Sequence, residues 1–401
     1  MNSKYEVKKL GDYIVQVRGI SYKPTDISEE PIDTHMAVLR ANSIKNNKLI
    51  LEDLIYVNKD LVKENQIIKE NDILIAASSG SKEIVGKSVQ IKDNTNFTFG
   101  AFCKIVRCSE KIEPRYVGYF LRTPYYRSTI SNLVCGANIN NLKNEHIDEL
   151  LIPMPSREIQ QKVVNILDKS QELIDKRKKQ IEALDELVKS QFIEVFGDPV
   201  KNPLGWELKP FLESGNCKNG MNFSATETGI ELQYLGVGDF KDLSKIEDTN
   251  NLGKVSLNKM PSSEYLLQDG DIVFVRSNGN KALVGRCLAV YPNGVATTYS
   301  GFCIRYRKTD ENLEIPYLLQ VLKTDSMRKN MAGRGANIQN LNQQILGALM
   351  IPVPPLELQK QFTDFIEQVD KLKFEMEKSL KELEDNFNSL MQKAFKGELF
   401  D

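Results

Sequence analysis

The chain has 401 residues, 41% hydrophobic and 27% charged, a composition that excludes a disordered, collagen-like or membrane-embedded protein. A single core stops growing near ~250 to 300 residues, so at least two domains are expected. With 53 basic against 54 acidic residues the formal net charge is -1, which disfavours a polyanion binder held by bulk charge and makes any nucleic-acid surface a local one.

The charged start MNSKYEVKKL lacks the apolar core of a signal peptide, and no apolar run approaches the ~18 residues of a membrane helix. A cytoplasmic protein is expected. The cysteines, at positions 103, 108, 135, 217, 287 and 303, form no C-x-x-C pair. With only His35 and His146 beside them, no zinc site of standard spacing can be assembled. They read as reduced residues in or near the core.

Along the chain, ILIAA before Ser78, SVQI around Val89 and FCKIVR around Ile105 are short apolar runs bounded by Gly, Ser and Asn, the pattern of strands. YVGYFLRTPYYRSTI, from Tyr116, reads as a helical segment at the edge of the domain. After Pro155 the pattern changes to a helix unbroken by Gly or Pro as far as Phe196. Its seam positions, Ile159, Val163, Ile166, Ser170, Leu173, Arg177, Ile181, Leu184, Val188, Gln191 and Val195, alternate steps of three and four as in a coiled coil. Ser156 starts this helix and Gly197-Asp198-Pro199 ends it, in keeping with helix-cap chemistry.

All of this is then written a second time. NDILIAASSGSKEIVGKSVQI from Asn71 aligns with GDIVFVRSNGNKALVGRCLAV from Gly270 at a constant offset of 199, as Asp72 with Asp271 shows. GANINNL from Gly136 matches GANIQNL from Gly335, and LLIPMPSREIQQ from Leu150 matches LMIPVPPLELQK from Leu349, at the same offset. F-G-A-F-C from Phe99 and Y-S-G-F-C from Tyr299 match after a one-residue slip. The helical seam recurs as Leu358, Phe362, Phe365, Val369, Leu372, Met376, Leu380, Leu383, Phe387, Leu390 and Ala394. So long a period means two complete domains and not a solenoid of small units. Each copy carries its own strands, loops and helix, so each is expected to form its reading surface without the other.

At these residues the chain resembles the specificity subunit of type I restriction-modification systems. GDIVFVRSNGNKALVGR, GANIQNL, the I-P-x-P with x-x-E-x-Q before each helix (Ile152 to Gln160, Ile351 to Gln359) and the terminal AFKGELF carry the likeness, which spans essentially the whole chain. The fold it implies is α+β, with two similar target-recognition domains (1–152 and 199–351). A long antiparallel two-helix coiled coil (153–198 and 352–401) separates them, the two copies being related by a pseudo-two-fold axis. The resemblance also implies that each domain reads one half of a bipartite, asymmetric site in double-stranded DNA. The helices would set the gap and dock two modification subunits that methylate adenine N6, with two restriction subunits beyond them. S-adenosylmethionine, ATP and Mg would belong to those partners, and this chain would hold no cofactor or metal.

The residues themselves support no catalytic site. SKEIVGKS, Ser81 to Ser88, misses the phosphate loop by a displaced Gly80, and its counterpart has Arg286 and Cys287 where Lys and Ser would be needed. Gly236-Val237-Gly238 lacks the third glycine of a dinucleotide loop. Pro354-Pro355 follows Val353, so the Asn/Asp-Pro-Pro-aromatic motif of adenine methyltransferases is missing. Asp72 and Asp271 open strands and read as turn carboxylates. By a weaker N-terminal alignment His35 falls opposite Gln233, and His146 falls opposite Ile345. A different class of function, an adaptor binding protein ligands through repeated domains on a helical spacer, stays open at this point.

The DNA-facing candidates lie in equivalent loops. Ser78, Ser79 and Lys82 match Ser277, Asn278 and Lys281, with Arg276 where the first copy has Ala77, and Lys87 and Arg286 follow as exposed cations. Arg and Asn pair with guanine and adenine edges, whereas Lys and Ser mostly hold phosphates. Asn138 in the first copy, and Arg334 and Asn337 in the second, form a further loop that serves as either a structural turn or a DNA contact. Arg18, Tyr22, Lys23, Arg40 and Asn42 are polar positions among N-terminal strand-like residues, with simple solvation as the alternative. The basic run Lys176 to Lys179 reads as a solvated helix face.

Overall fold

The computed structural model describes residues 3–133, 140–224, 226–240, 244–332 and 340–400. The chain forms two compact units, Met1–Lys178 with Lys378–Asp401, and Lys179–Glu377. Asn138, Arg334 and Asn337 lie outside the described residues.

In the first unit the strands are β1 (Ile14–Arg18), β2 (His35–Leu39), β3 (Ile55–Asn58), β4 (Ile73–Ala76), β5 (Ser88–Gln90), β6 (Phe97–Phe99) and β7 (Cys103–Cys108), with shorter pieces between them. Among the described residues, one sheet runs β5-β4-β7-β1 and is antiparallel. A second runs β6-β2-β3 and ends on Ile27–Ser28, with β6 parallel to β2. β4 is apolar throughout because both its faces are covered. Ile73 and Ile75 enter a core shared with helices, whereas Leu74 and Ala76 enter a core facing the second sheet. That division is the two-residue period of a strand.

The second unit repeats this frame with β8 (Gly215–Asn219), β9 (Ile230–Leu235), β10 (Gly253–Leu257), β11 (Asp271–Val275), β12 (Cys287–Val290), β13 (Thr297–Tyr299) and β14 (Cys303–Lys308). β8-β14-β11-β12 make one sheet, extended by Lys245–Ile246, and β10-β9-β13 make the other. Ile272 and Phe274 alternate with Val273 and Val275 between two cores, as in β4. Register corrects one alignment. Phe97 pairs with Ala37 and Thr297 with Gln233, so Gln233 corresponds to Ala37, and His35 corresponds to Glu231.

The two strand-opening aspartates carry more than a turn. Asp72 is 2% exposed, accepts from the Lys69 amide at 2.8 Å and binds the Arg107 guanidinium through both oxygens at 2.8 and 2.6 Å. Asp271 repeats this with Gln268 and Arg307. A buried carboxylate needs such a partner, and the bidentate pair fixes its geometry.

The segment from Tyr116 is not an edge. Pro124 splits it into two helices, Pro114–Phe120 and Pro124–Leu133, and Tyr116, Val117 and Phe120 are fully buried. The long helices run Arg157–Phe196 and Leu356–Lys396. Each begins on a buried glutamine. Gln160 accepts from the Glu113 amide at 2.9 Å and donates to the Pro155 carbonyl at 3.0 Å. Gln359 does the same with Glu314 and Pro354, and also donates to Asn312. The repeated E-x-Q is therefore a clamp that joins each helix start to its own domain.

The helix ends are exchanged. Tyr116 and Phe120 pack against Phe395, with ring centroids 4.9 and 5.7 Å apart, and Phe387, Met391 and Ala394 complete that core. In the second unit Tyr317 packs on Phe192 and Phe196, at 5.8 and 4.7 Å. Each copy thus takes the end of the other copy's helix into its core, which corrects the expectation that the copies form independently. Within the first unit Lys178 pairs with Glu384, and within the second Asp185 with Lys373. The seam also needs correction. Leu173 and Leu372 are 53% and 47% exposed, whereas Val164, Leu167 and Ile174 beside the seam are buried, because the helix packs on the sheet-bearing part as well as on the other helix.

Phe395→Ala should lower the stability of the first unit by about 3 to 5 kcal/mol, the usual cost of emptying a buried phenyl site. Urea unfolding followed by limited proteolysis checks this. Cleavage should begin within residues 1–178 while the second unit resists, and unchanged proteolysis would contradict the exchange.

Candidate functional site

Ser78–Ser79 is itself a short strand, antiparallel to Asn140–Asn141. The Leu142 amide donates to the Ala77 carbonyl at 2.7 Å, and Leu341 donates to Arg276 at 2.9 Å. The leucine that closes each repeated GAN-containing segment is therefore joined by the same main-chain bond to the start of the first loop in each unit. Leu142 and Leu341, 1% and 0% exposed, are seated in the core of their units.

The turn that follows is a hairpin and not a phosphate loop. SKEIVGKS leads into β5, antiparallel to β4, with no helix opening on it. Gly86 and Gly285 adopt φ of 79° and 78°, a left-handed conformation that favours glycine. The amides of both donate back to the strand, to Ala76 and Val275 at 2.8 and 2.9 Å. A side chain at Gly86 would strike Ile130 of the second short helix. Lys82 and Lys281 are exposed on this turn. Lys87 and Arg286 lie at its base, across the ladder from Ala76 and Val275.

In the first unit the structure brings Tyr22, Arg40, Asn42 and Ser78 around one hollow of about 200 Å³, together with Gly100, Phe102 and Cys103. Residues far apart in sequence meet here because β6 runs parallel to β2, setting Phe99 beside Leu39. Arg40 donates to the Asp53 carbonyl at 2.6 Å. Burial raises the Tyr22 hydroxyl above the usual phenol range, the nearby Arg40 opposing it, so the hydroxyl keeps its proton as a donor at neutral pH. Burial also pushes the Cys103 thiol up to about 12, which leaves no thiolate for chemistry at neutral pH. Arg18 and Lys23 are exposed and do not line the hollow. Close to Arg18, burial pulls Lys104 down to about 8, where its ammonium is held by Asn144 at 2.6 Å and Gln16 at 3.3 Å.

In the second unit Arg276, Ser277 and Asn278 are half-buried at the end of β11. The Phe302 carbonyl accepts from the Arg276 amide at 2.8 Å and the Ser277 amide at 3.4 Å. Phe102 does the same for Ala77 and Ser78, at 2.8 and 3.0 Å. Sequence reasoning passed over these two phenylalanines, although the recurring F-C of each copy marked them. Lys176 pairs with Glu172 and Lys178 with Glu384, in keeping with a solvated helix face.

Among the described residues no His, Cys, Asp and Glu group is arranged to hold a metal ion, and no helix is long and apolar enough to cross a membrane. The arrangement is suited to polar contact with a polyanion, through donors on rigid turns.

Comparison with known proteins gives a consistent result. The model of the type I restriction modification DNA specificity domain matches twice, at residues 2–184 and 206–385. The chain is 32% identical to the type I restriction enzyme StySPI specificity subunit of Salmonella potsdam, over 96% of this chain and 86% of that protein. It is 29% identical, with the same coverage, to the EcoKI specificity subunit of Escherichia coli strain K12. A crystal structure of the type I S subunit from M. genitalium shares the fold with a TM-score of 0.53 at 15% identity, covering 98% of this chain and 96% of that one. A structure from work on complex assembly and conformational transition of the type I system aligns with a TM-score of 0.59 at 17% identity, covering 98% of both chains.

Arg276→Ala should weaken specific DNA binding by about 1 to 3 kcal/mol and relax the preference at one position, as loss of a bidentate guanine contact does. Lys281→Ala should weaken all sequences alike and reduce the salt slope by about one. Titrations at several salt concentrations separate the two, and no effect from either change would remove this loop from the interface.

Proposed function

Starting from the fact that the chain belongs to the type I restriction-modification DNA specificity family, we propose that each of its two domains reads one half of a bipartite, asymmetric site in double-stranded DNA. The chain is the DNA-recognition component of such a system and is not itself an enzyme. That membership replaces the adaptor reading.

The observation that carries the proposal is an unchanged frame with changed side chains. Both units hold the start of the first loop by the same main-chain bond, Leu142 to Ala77 and Leu341 to Arg276. On that frame stand Ala77, Ser78 and Ser79 in one copy and Arg276, Ser277 and Asn278 in the other. Register places Gly236 and Gly238 where the first copy has Arg40 and Asn42. Two readers of different sequences require this, since base edges are distinguished by the type of donor and acceptor presented.

The proposed DNA-contacting set is Arg18, Tyr22, Lys23, Arg40, Asn42, Ser78, Ser79, Lys82, Lys87 and Asn138 in the first copy. In the second it is Arg276, Ser277, Asn278, Lys281, Arg286, Arg334 and Asn337. The long helices would dock two modification subunits that methylate adenine N6, and two restriction subunits would join them. S-adenosylmethionine, ATP and Mg would then act on those partners, in the cytoplasm, with no cofactor on this chain.

Exchange of residues 205 to 351 for the matching domain of a relative tests the reading. The chimera keeps Phe192 and Phe196, so the imported domain must supply an aromatic side chain for Tyr317 to retain its core. One half of the methylated sequence should change and the other should stay. A folded chimera that changed both halves would contradict separate readers.

A further inference from the structure

Phe102 and Phe302 are 69% and 60% exposed. A single exposed apolar residue needs no explanation, but these two occupy the same position in both copies. Each sits on the tight turn by which the chain passes from one sheet to the other, between β6 and β7 or β13 and β14, closed by a Cys103 or Cys303 amide bond of 2.8 Å to Gly100 or Ser300. The carbonyl of each holds two amides of the candidate loop, and the cysteine that follows each is fully buried. The phenyl ring is thus presented to solvent from a backbone fixed on both sides. Phe102 also borders the hollow lined by Tyr22, Arg40, Asn42 and Ser78.

We propose that Phe102 and Phe302 are apolar wedges that insert against base faces in their half-sites, partly unstacking one base step each. This rests on the DNA-reading function above. The residues around the rings differ between copies, as Ala77 and Arg276 or Ser79 and Asn278 show, whereas the phenylalanine does not. A group shared by two readers of different sequences performs a sequence-tolerant task, and every base offers a π-face to an aromatic or apolar wedge. Polar neighbours then hold the distorted backbone and read the edges.

The test uses the full chain assembled with its modification subunits, and duplexes of its methylated sequence carrying 2-aminopurine at successive positions of each half-site. Binding should raise the fluorescence at one step in the first half-site. Phe102→Ala should abolish that rise and weaken binding by about 10-fold, with the salt slope unchanged because no charge is lost. Phe102→Trp should restore both. Phe302→Ala should act on the other half-site alone. Specific binding with no fluorescence change in the wild type, or an alanine variant that binds within about twofold, would overturn the wedge and leave the reading intact. Loss of the Phe102 effect when thymine is replaced by uracil would also overturn it, in favour of a methyl contact. Absence of any sequence-specific binding by the wild-type complex would sink the DNA reading and the wedge with it.

Discussion

The packing of each helix end into the core of the other copy is the constraint on which the rest of the structure depends. Tyr116 needs Phe395, and Tyr317 needs Phe196. A buried phenyl group contributes a few kcal/mol, a large fraction of a domain's net stability. Neither sheet-bearing part can therefore be complete until both helices are in place. At the other end of each helix, the Gln160 and Gln359 clamps fix its start on its own domain through the Glu113 and Glu314 amides. Within each unit the loops are thereby carried on a core that one helix start and one helix end complete.

On that support the two copies separate what is shared from what is variable. The paired carboxylate and arginine, the glycine turn, the buried leucine after the second loop and the exposed phenylalanine all recur. The side chains at the ends of β4 and β11 do not. Contacts to phosphate position a protein on DNA, and contacts to base edges specify the sequence. A frame that holds the backbone geometry constant while replacing Ala77 by Arg276 changes the second without disturbing the first.

Much of this is legible in the sequence because a constant offset of 199 residues aligns the candidate loops, the hairpin strands β4 and β5 with β11 and β12, and the helix starts of the two copies. The bond from Leu142 or Leu341 to the first loop is not visible in itself, but both segments stand out because both recur. The exchange of helix ends leaves no such mark. The two helices carry the same apolar pattern, so nothing in Phe196 or Phe395 says which tyrosine it will meet. Leu173 and Leu372 are misplaced by the sequence pattern for a related reason: a heptad seam describes a helix with one partner, whereas these helices have two, and the buried stripe shifts toward Val164, Leu167 and Ile174. Phe102 is hidden by its surroundings, since F-G-A-F-C reads as core on both sides of a turn. The N-terminal candidates Tyr22, Arg40 and Asn42 meet at the hollow only because a parallel strand pair joins segments some sixty residues apart.

Sequencing of modified adenines across the genome, in otherwise identical cells with and without this gene, tests the central claim most directly. The account predicts that deletion removes methylation from one motif of two short, different, fixed sequences separated by an unspecified gap of constant length. An unchanged methylation pattern, or the loss of a single continuous or palindromic motif, would contradict two unlike readers on one chain.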